Sequence, residues 1–176
     1  MQKKVQVLGV VLLCLLFCFT LAQAEWIAAD ATGQQAPEVR LLSHSPAATV
    51  LELTLHGFYS QELMEAGVLY QQISFGDNAA LREVGLPELP VIARLVGIPD
   101  RSGVAVSVAV LEVQTFSGFR VYPAQELTVD GEEPLPFTIN REFYSQDQYY
   151  PEETALASEP QIWRDVRLTR LEVRPV

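Results

Sequence analysis

Apolar and polar positions alternate with a period of two along much of this chain, the pattern of half-buried strands, because successive side chains of a strand point to opposite faces. Val39, Leu41 and Leu42 open the first such stretch. Ser43 to Ala47, with Pro46, predicts a turn before Thr49 to His56, where Leu51, Leu53 and Leu55 alternate with Glu52, Thr54 and His56. Two strands across a short polar turn predict a hairpin. Gly57 to Gly67 reads as a loop with one helical turn, Ser60 capping a segment that carries Leu63 and Met64 until Gly67 stops it. Val68 to Phe75 alternates again and breaks at Gly76-Asp77-Asn78.

The stretch from Gly85 to Phe119 organises the rest. Gly85, Pro87 and Pro90 suit an extended edge or a strand start, since each proline lacks a backbone donor. A strand is predicted over Val91 to Val96, then a turn through Gly97, Pro99, Asp100, Ser102 and Gly103, then the longest strand of the chain. Val104, Val106, Val108 and Val110 share one face of it, while Leu111, Val113 and Thr115 take the opposite parity, so a bulge, a bend or a crossing between two sheets is predicted there. These two strands are the expected core. Downstream, Arg120 to Tyr122 predicts a short strand, Pro123 to Pro136 is irregular, and Phe137 to Phe143 pairs briefly. Tyr144 to Pro151 reads as an exposed loop, and Trp163 to Val173 as a last strand with a second bend. Without repeats, heptads or a long amphipathic helix, the fold class is all-β: a two-sheet antiparallel β-sandwich with long irregular loops.

The N-terminus changes the setting. Lys3 and Lys4, an apolar run from Val7 to Phe19 and Ala22-Gln23-Ala24 form a secretory signal peptide over residues 1–24, too short for a span of about 20 apolar residues. Residues 25–37 then read as a flexible leader and 38–176 as one domain, exported to the periplasm, cell surface or medium and free of the membrane once the signal is removed. Both cysteines, Cys14 and Cys18, lie in the signal segment, so the exported chain relies on its hydrophobic core. Loss of Lys3 and Lys4 leaves ten basic residues, all arginine, against 22 acidic ones, a net charge of −12. That charge excludes nucleic acid as a partner and leaves room for a basic protein surface.

No catalytic constellation is legible. His44 and His56 stand alone, His56 reading as an outward polar residue, and Asp130, Glu132 and Glu133 beside Gly131 read as a solvated acidic turn instead of a calcium loop. No nucleophile elbow, phosphate loop or dinucleotide fingerprint is present, so no catalytic residue, metal or cofactor is expected and the chain does not read as an enzyme. Phe143, Tyr144, Tyr149 and Tyr150 are the recognition candidates: they either dock in a partner cleft or fold back over the open end of the sandwich.

An ordered set of short motifs carries one further reading. Gly85-x-Pro87-x-Leu89-Pro90, Ile98-Pro99, Tyr144-x-x-x-x-Tyr149-Tyr150-Pro151, Arg164-Asp165-Val166-Arg167 and Val173-Arg174-Pro175-Val176 follow one another over about the last 120 residues. Together they resemble the N-terminal propeptides of gingipain-like cysteine peptidases, the C25 family. The resemblance implies a β-sandwich prodomain that assists folding of a peptidase catalytic domain, in cis or in trans, and keeps it latent. In that family the segment matching Phe143 to Pro151 approaches the peptidase cleft, and some members place a basic residue there as a substrate mimic. Here Gln146 matches that position, which implies a steric block or one suited to a different primary pocket. The family continues into a His/Cys catalytic domain where this sequence stops, which implies a truncated or split precursor. Partner-binding residues are then expected at Phe143, Tyr144, Gln146, Tyr149, Tyr150 and Pro151, and motif residues that support the fold at Gly85, Pro87, Leu89, Pro90, Pro99, Arg164, Arg167 and Pro175. The other reading is a stand-alone periplasmic or cell-surface β-sandwich for binding or adhesion.

Overall fold

The computed structural model describes residues 24–77, 79–128, 130, 131, 133 and 135–175. The signal-peptide reading of residues 1–24 therefore lies, but for Ala24, outside the described residues, as do Glu132 of the acidic turn and Val176 of the last motif. Nine strands and one helical turn are described: β1 (Glu25–Ala28), β2 (Glu38–His44), β3 (Thr49–Thr54), β4 (Gly57–Glu65), β5 (Val68–Ser74), β6 (Ile92–Gly97), α1 (Arg141–Tyr144), β7 (Ala155–Ala157), β8 (Gln161–Trp163) and β9 (Val166–Val173). All strand pairs are antiparallel, and the fold is the β-sandwich-like, all-β one that the alternation predicts. Its hydrogen-bonded sheets are β1-β4-β5, the hairpin β2-β3, and β6-β9-β7 with β8 beside β9.

Local chemistry explains the hairpins. β2 and β3 turn through Ser45, whose hydroxyl accepts the amides of Ala47 and Ala48 at 3.3 and 3.1 Å. The pairing contains a bulge between Leu41 and Ser43. β4 and β5 are joined by Ala66 and Gly67, both at positive φ, the combination that a two-residue turn matched to strand twist requires. Gly57 to Gly67 is consequently a strand and its turn, not a loop with a helical turn. Gly67 closes a hairpin instead of stopping a helix, and β4 is held from both sides by β1 and β5.

The leader also differs from its reading. Glu25–Ala28 pairs with β4 in the register Glu25↔Ser60 to Ala28↔Gly57. Gly57 permits this: a Cβ there would lie 2.3 Å from the Ile27 carbonyl oxygen and 2.6 Å from the Trp26 ring. His56, read as outward, is buried, because residues 29–32 fold over it. Its Nδ1 lies 2.7 Å from Asp30 Oδ2 and 3.0 Å from Thr32 Oγ1, and the Ala29 amide donates to its carbonyl at 2.8 Å. Hydrogen bonds from Thr32, then the contact with His56, hold the Asp30 carboxyl down from its ordinary 3.8 to about 2.

The largest correction concerns Val104 to Thr115. Val91 to Val96 forms β6 nearly as read, but the longer alternation forms no strand, and its valines and Leu111 are exposed. Alternation states which face is apolar; a strand also needs a neighbouring ladder, and none is paired with this segment among the described residues. The segment is fastened at its ends. Arg167 Nη1 donates to the carbonyls of Pro99 and Ser102 at 2.8 and 2.6 Å, and Phe116 and Phe119 pack edge-on against Phe58 at 5.0 and 5.6 Å.

The core lies instead around the start of the organising stretch. Tyr70, Phe75, Val91, Ile92 and Ala124 are buried, with Pro87, Pro90 and Pro123 between them. Residues 120–124 make isolated bridges, Gln71↔Val121 and Pro87↔Pro123, in place of a strand. Phe137 to Phe143 does not pair as a strand; it leads into α1. The second bend is absent too. Trp163 belongs to β8, Arg164 and Asp165 make the turn, and β9 runs in unbroken register with β6. A strand paired along both edges is held straight by its ladders, so its change of parity forces no bend.

Candidate functional site

The site is built from the floor upward. Residues 85–88 run antiparallel beside 122–124: the Gly85 amide donates to Ala124 O at 2.8 Å, Glu88 to Tyr122 O at 2.9 Å, and Ala124 to Leu86 O at 2.8 Å. On its other side the 120–122 segment is tied to β5, where Gln71 and Arg120 and then Tyr122 and Gln71 exchange backbone bonds of 2.8 and 2.9 Å. Tyr70, Tyr122 and Phe137 pack as three rings within 6 Å of one another, and the Arg120 guanidinium lies 5.1 Å over Tyr70.

Above this floor sits α1. Its N-cap is Asn140, whose side-chain oxygen accepts the Phe143 amide at 3.0 Å and whose carbonyl accepts the Tyr144 amide at 3.1 Å. Glu142 lies in the first turn, where a negative charge is favourable. Gln146 closes the turn by donating its amide to Phe143 O at 3.1 Å.

The six residues expected to bind a partner separate into two groups. Tyr144 is half-buried and donates its hydroxyl to Val121 O at 2.8 Å; burial raises its phenol pKa well above the ordinary range. Phe143 is half-buried between Tyr144 and Tyr150, with ring centroids at 5.8 and 5.4 Å. Tyr150 is half-buried, its phenol raised by burial and then by Glu83, and Pro151 is buried. These four brace the loop. Gln146 and Tyr149 project from it, and Tyr149, at 86% exposed, is the most exposed of the described large hydrophobic side chains. Packing and projection, left as alternatives by the sequence, are thus divided among neighbours.

The motif residues fall in different places. Gly85, Pro87 and Pro90 are buried in the floor, and the half-buried Leu89 accepts the Leu81 amide at 2.8 Å. Pro99 and Arg167 form the clamp at the far end of β6 and β9. Arg164 is an exposed turn residue at positive φ, and Pro175 is half-buried beyond β9. Asn140 was not singled out from the sequence, although an asparagine two residues before Glu142 is a legible helix-start signal.

The described residues contain no group of three or more His, Cys, Asp or Glu side chains placed to hold a metal. Two open cavities, of about 310 and 440 Å³, flank the β1-β4-β5 sheet and do not include the aromatic loop. What the arrangement offers is recognition: one large, uncharged ring held out on a braced loop, where its burial by a partner gives a large share of contact energy at small ordering cost.

The chain belongs to the Propeptide_C25 family, whose model matches residues 29–176 and so reaches into the stretch read as leader. Among curated proteins it is similar to gingipain R1 of Porphyromonas gingivalis, 26% identical over 134 residues that make up 74% of this chain and 13% of that protein. Gingipain R2 of the same organism is 24% identical over 133 residues, 74% of this chain and 18% of that one. The matched region thus spans less than a fifth of either relative. Among solved structures, one on the zymogenic latency of gingipain K from P. gingivalis aligns with a TM-score of 0.71 and 21% identity over 88% of this chain and 87% of that one. The complex of the P. gingivalis RgpB pro- and mature domains aligns with a TM-score of 0.71 and 23% identity, covering 80% and 74%. These two likenesses concern the fold.

Proposed function

We propose that this chain is an exported prodomain that assists the folding of a C25-type cysteine peptidase and keeps it latent by covering its active-site cleft, with loop 145–150 as the contact. Family membership and the likeness to a prodomain solved in complex with its mature domain support the peptidase as partner. The observation that carries the loop assignment is Tyr149 standing out between two anchors, Tyr144 on Val121 and Tyr150-Pro151 in the fold. A braced ring loses little freedom on docking, so more of its burial appears as affinity. No lysine or arginine lies between Arg141 and Arg164, so the block is steric or suits a pocket for an uncharged side chain.

The test is inhibition of a mature C25-family peptidase domain by the purified chain. Competitive inhibition is expected, with the inhibition constant raised at least tenfold by Tyr149→Ala while the thermal midpoint stays unchanged. Inhibition indifferent to Tyr149→Ala, or none at all, would contradict the proposal.

A further inference from the structure

The rim loop is positioned from beneath, at a point remote in sequence. Gly85 is buried, has φ +83°, and meets the N-cap of the helical turn that leads into the loop: the Asn140 amide donates to Gly85 O at 3.0 Å. A Cβ at Gly85 would lie 3.0 Å from Asn140 N, 3.5 Å from Ile139 C and 3.7 Å from Asn140 Cβ. The atom it meets first is backbone, which cannot swing aside as a flexible side chain does. Asn140 in turn holds everything that follows, its side-chain oxygen taking the Phe143 amide and its carbonyl the Tyr144 amide. Tyr144 reaches back to Val121, in the segment that pairs with residues 85–88. The bonds therefore close a circuit, 85–88 to 121–124 to 140–144 and back, with Gly85 where two of its sides touch.

We propose that Gly85 is a positioning residue for the inhibitory loop: the lack of a side chain there lets Asn140 close onto the 85–88 segment and sets where Tyr149 stands. This rests on the reading of loop 145–150 as the peptidase contact. A side chain at 85 pushes Asn140 outward, loosens the α1 cap and removes the preorganisation on which affinity depends. Two consequences of a side chain can be separated, because asparagine tolerates positive φ better than alanine does while carrying the same Cβ.

Two readouts on the full chain test this. In the unbound protein, Gly85→Ala and Gly85→Asn are each expected to raise hydrogen exchange at the Phe143 and Tyr144 amides at least tenfold while leaving the β4 and β5 amides unchanged. Against a mature C25-family peptidase domain that the wild-type chain inhibits, both raise the inhibition constant at least tenfold. Asn140→Ala gives the same local loosening, and Asn140→Asp, which keeps the capping oxygen, restores wild-type exchange. Unchanged exchange at Phe143 and Tyr144 overturns the positioning role whatever the inhibition data show. Raised exchange with full inhibition means that the loop is not the peptidase contact, which overturns the functional reading and this inference with it. Global unfolding of both Gly85 variants would make Gly85 a folding residue and equally overturn the proposal.

Discussion

Tyr144 and Tyr149 are five residues apart in one loop, and the fold treats them in opposite ways. Tyr144 turns inward, gives its hydroxyl to Val121 O and packs on Phe143; Tyr149 turns outward and packs on no ring among the described residues. The same residue type is thus packed into the fold once and held out to solvent once. The difference comes from what lies beneath each: Tyr144 follows directly from the capped turn α1 and is within reach of the 120–124 segment, whereas Tyr149 sits beyond the turn, ahead of the half-buried Tyr150 and buried Pro151. A recognition loop needs both kinds, since an unbraced ring must be ordered on binding and a fully packed one offers no surface.

The strongest way to break this contrast is Tyr144→Ala, which removes a half-buried ring and its hydrogen bond. A loss of about 3 kcal/mol in stability is expected, within the usual range for truncating a packed aromatic, read as a lower midpoint in chemical denaturation. A loss below about 1 kcal/mol would show that Tyr144 is no anchor. Next in size is Tyr150→Ala, which should act on both sides of the comparison: about 1 kcal/mol of stability lost with the contact to Phe143, and weaker inhibition because the loop exit is freed. Equal effects of Tyr149→Ala and Tyr150→Ala on stability would erase the distinction between projecting and bracing rings.

The smallest effect is expected far from the loop, at the docked leader. Asp30 has a pKa held below its unfolded value, so it favours the folded state above about pH 4 and loses that contribution as pH falls toward about 2. Asp30→Asn should flatten the fall of stability with acid across that window and leave peptidase inhibition at neutral pH unchanged. A midpoint-against-pH curve that coincides with that of the wild type would show that Asp30 is not paired as described.

How much of this was legible beforehand follows from what alternation can and cannot carry. Local patterns located β2, β3, β5 and β6, because in each an apolar face and a short connection or turn agree. The same kind of pattern overcalled Val104 to Thr115 and undercalled Gly57 to Glu65, since pairing is decided by a neighbour that the sequence does not announce. His56 shows the limit for single residues: its leucine neighbours gave its parity, but its burial comes from Asp30 and Thr32, 26 and 24 positions away. The aromatic cluster was visible as composition. Its division into packed and projecting rings was not, because that depends on Val121 and Gly85, which reach the loop only in the folded chain.

If loop 145–150 is the peptidase contact as proposed, Tyr149 enters the catalytic cleft. The direct measurement places the photo-crosslinking residue p-benzoylphenylalanine at position 149, with a second variant carrying it at Trp163, an exposed ring in the distant β8–β9 hairpin. Irradiated with a mature C25-family peptidase domain, the position 149 variant should crosslink to peptides lining the catalytic cleft and the position 163 variant should not. Crosslinks from 163 alone, or from 149 to a surface away from that cleft, would contradict it.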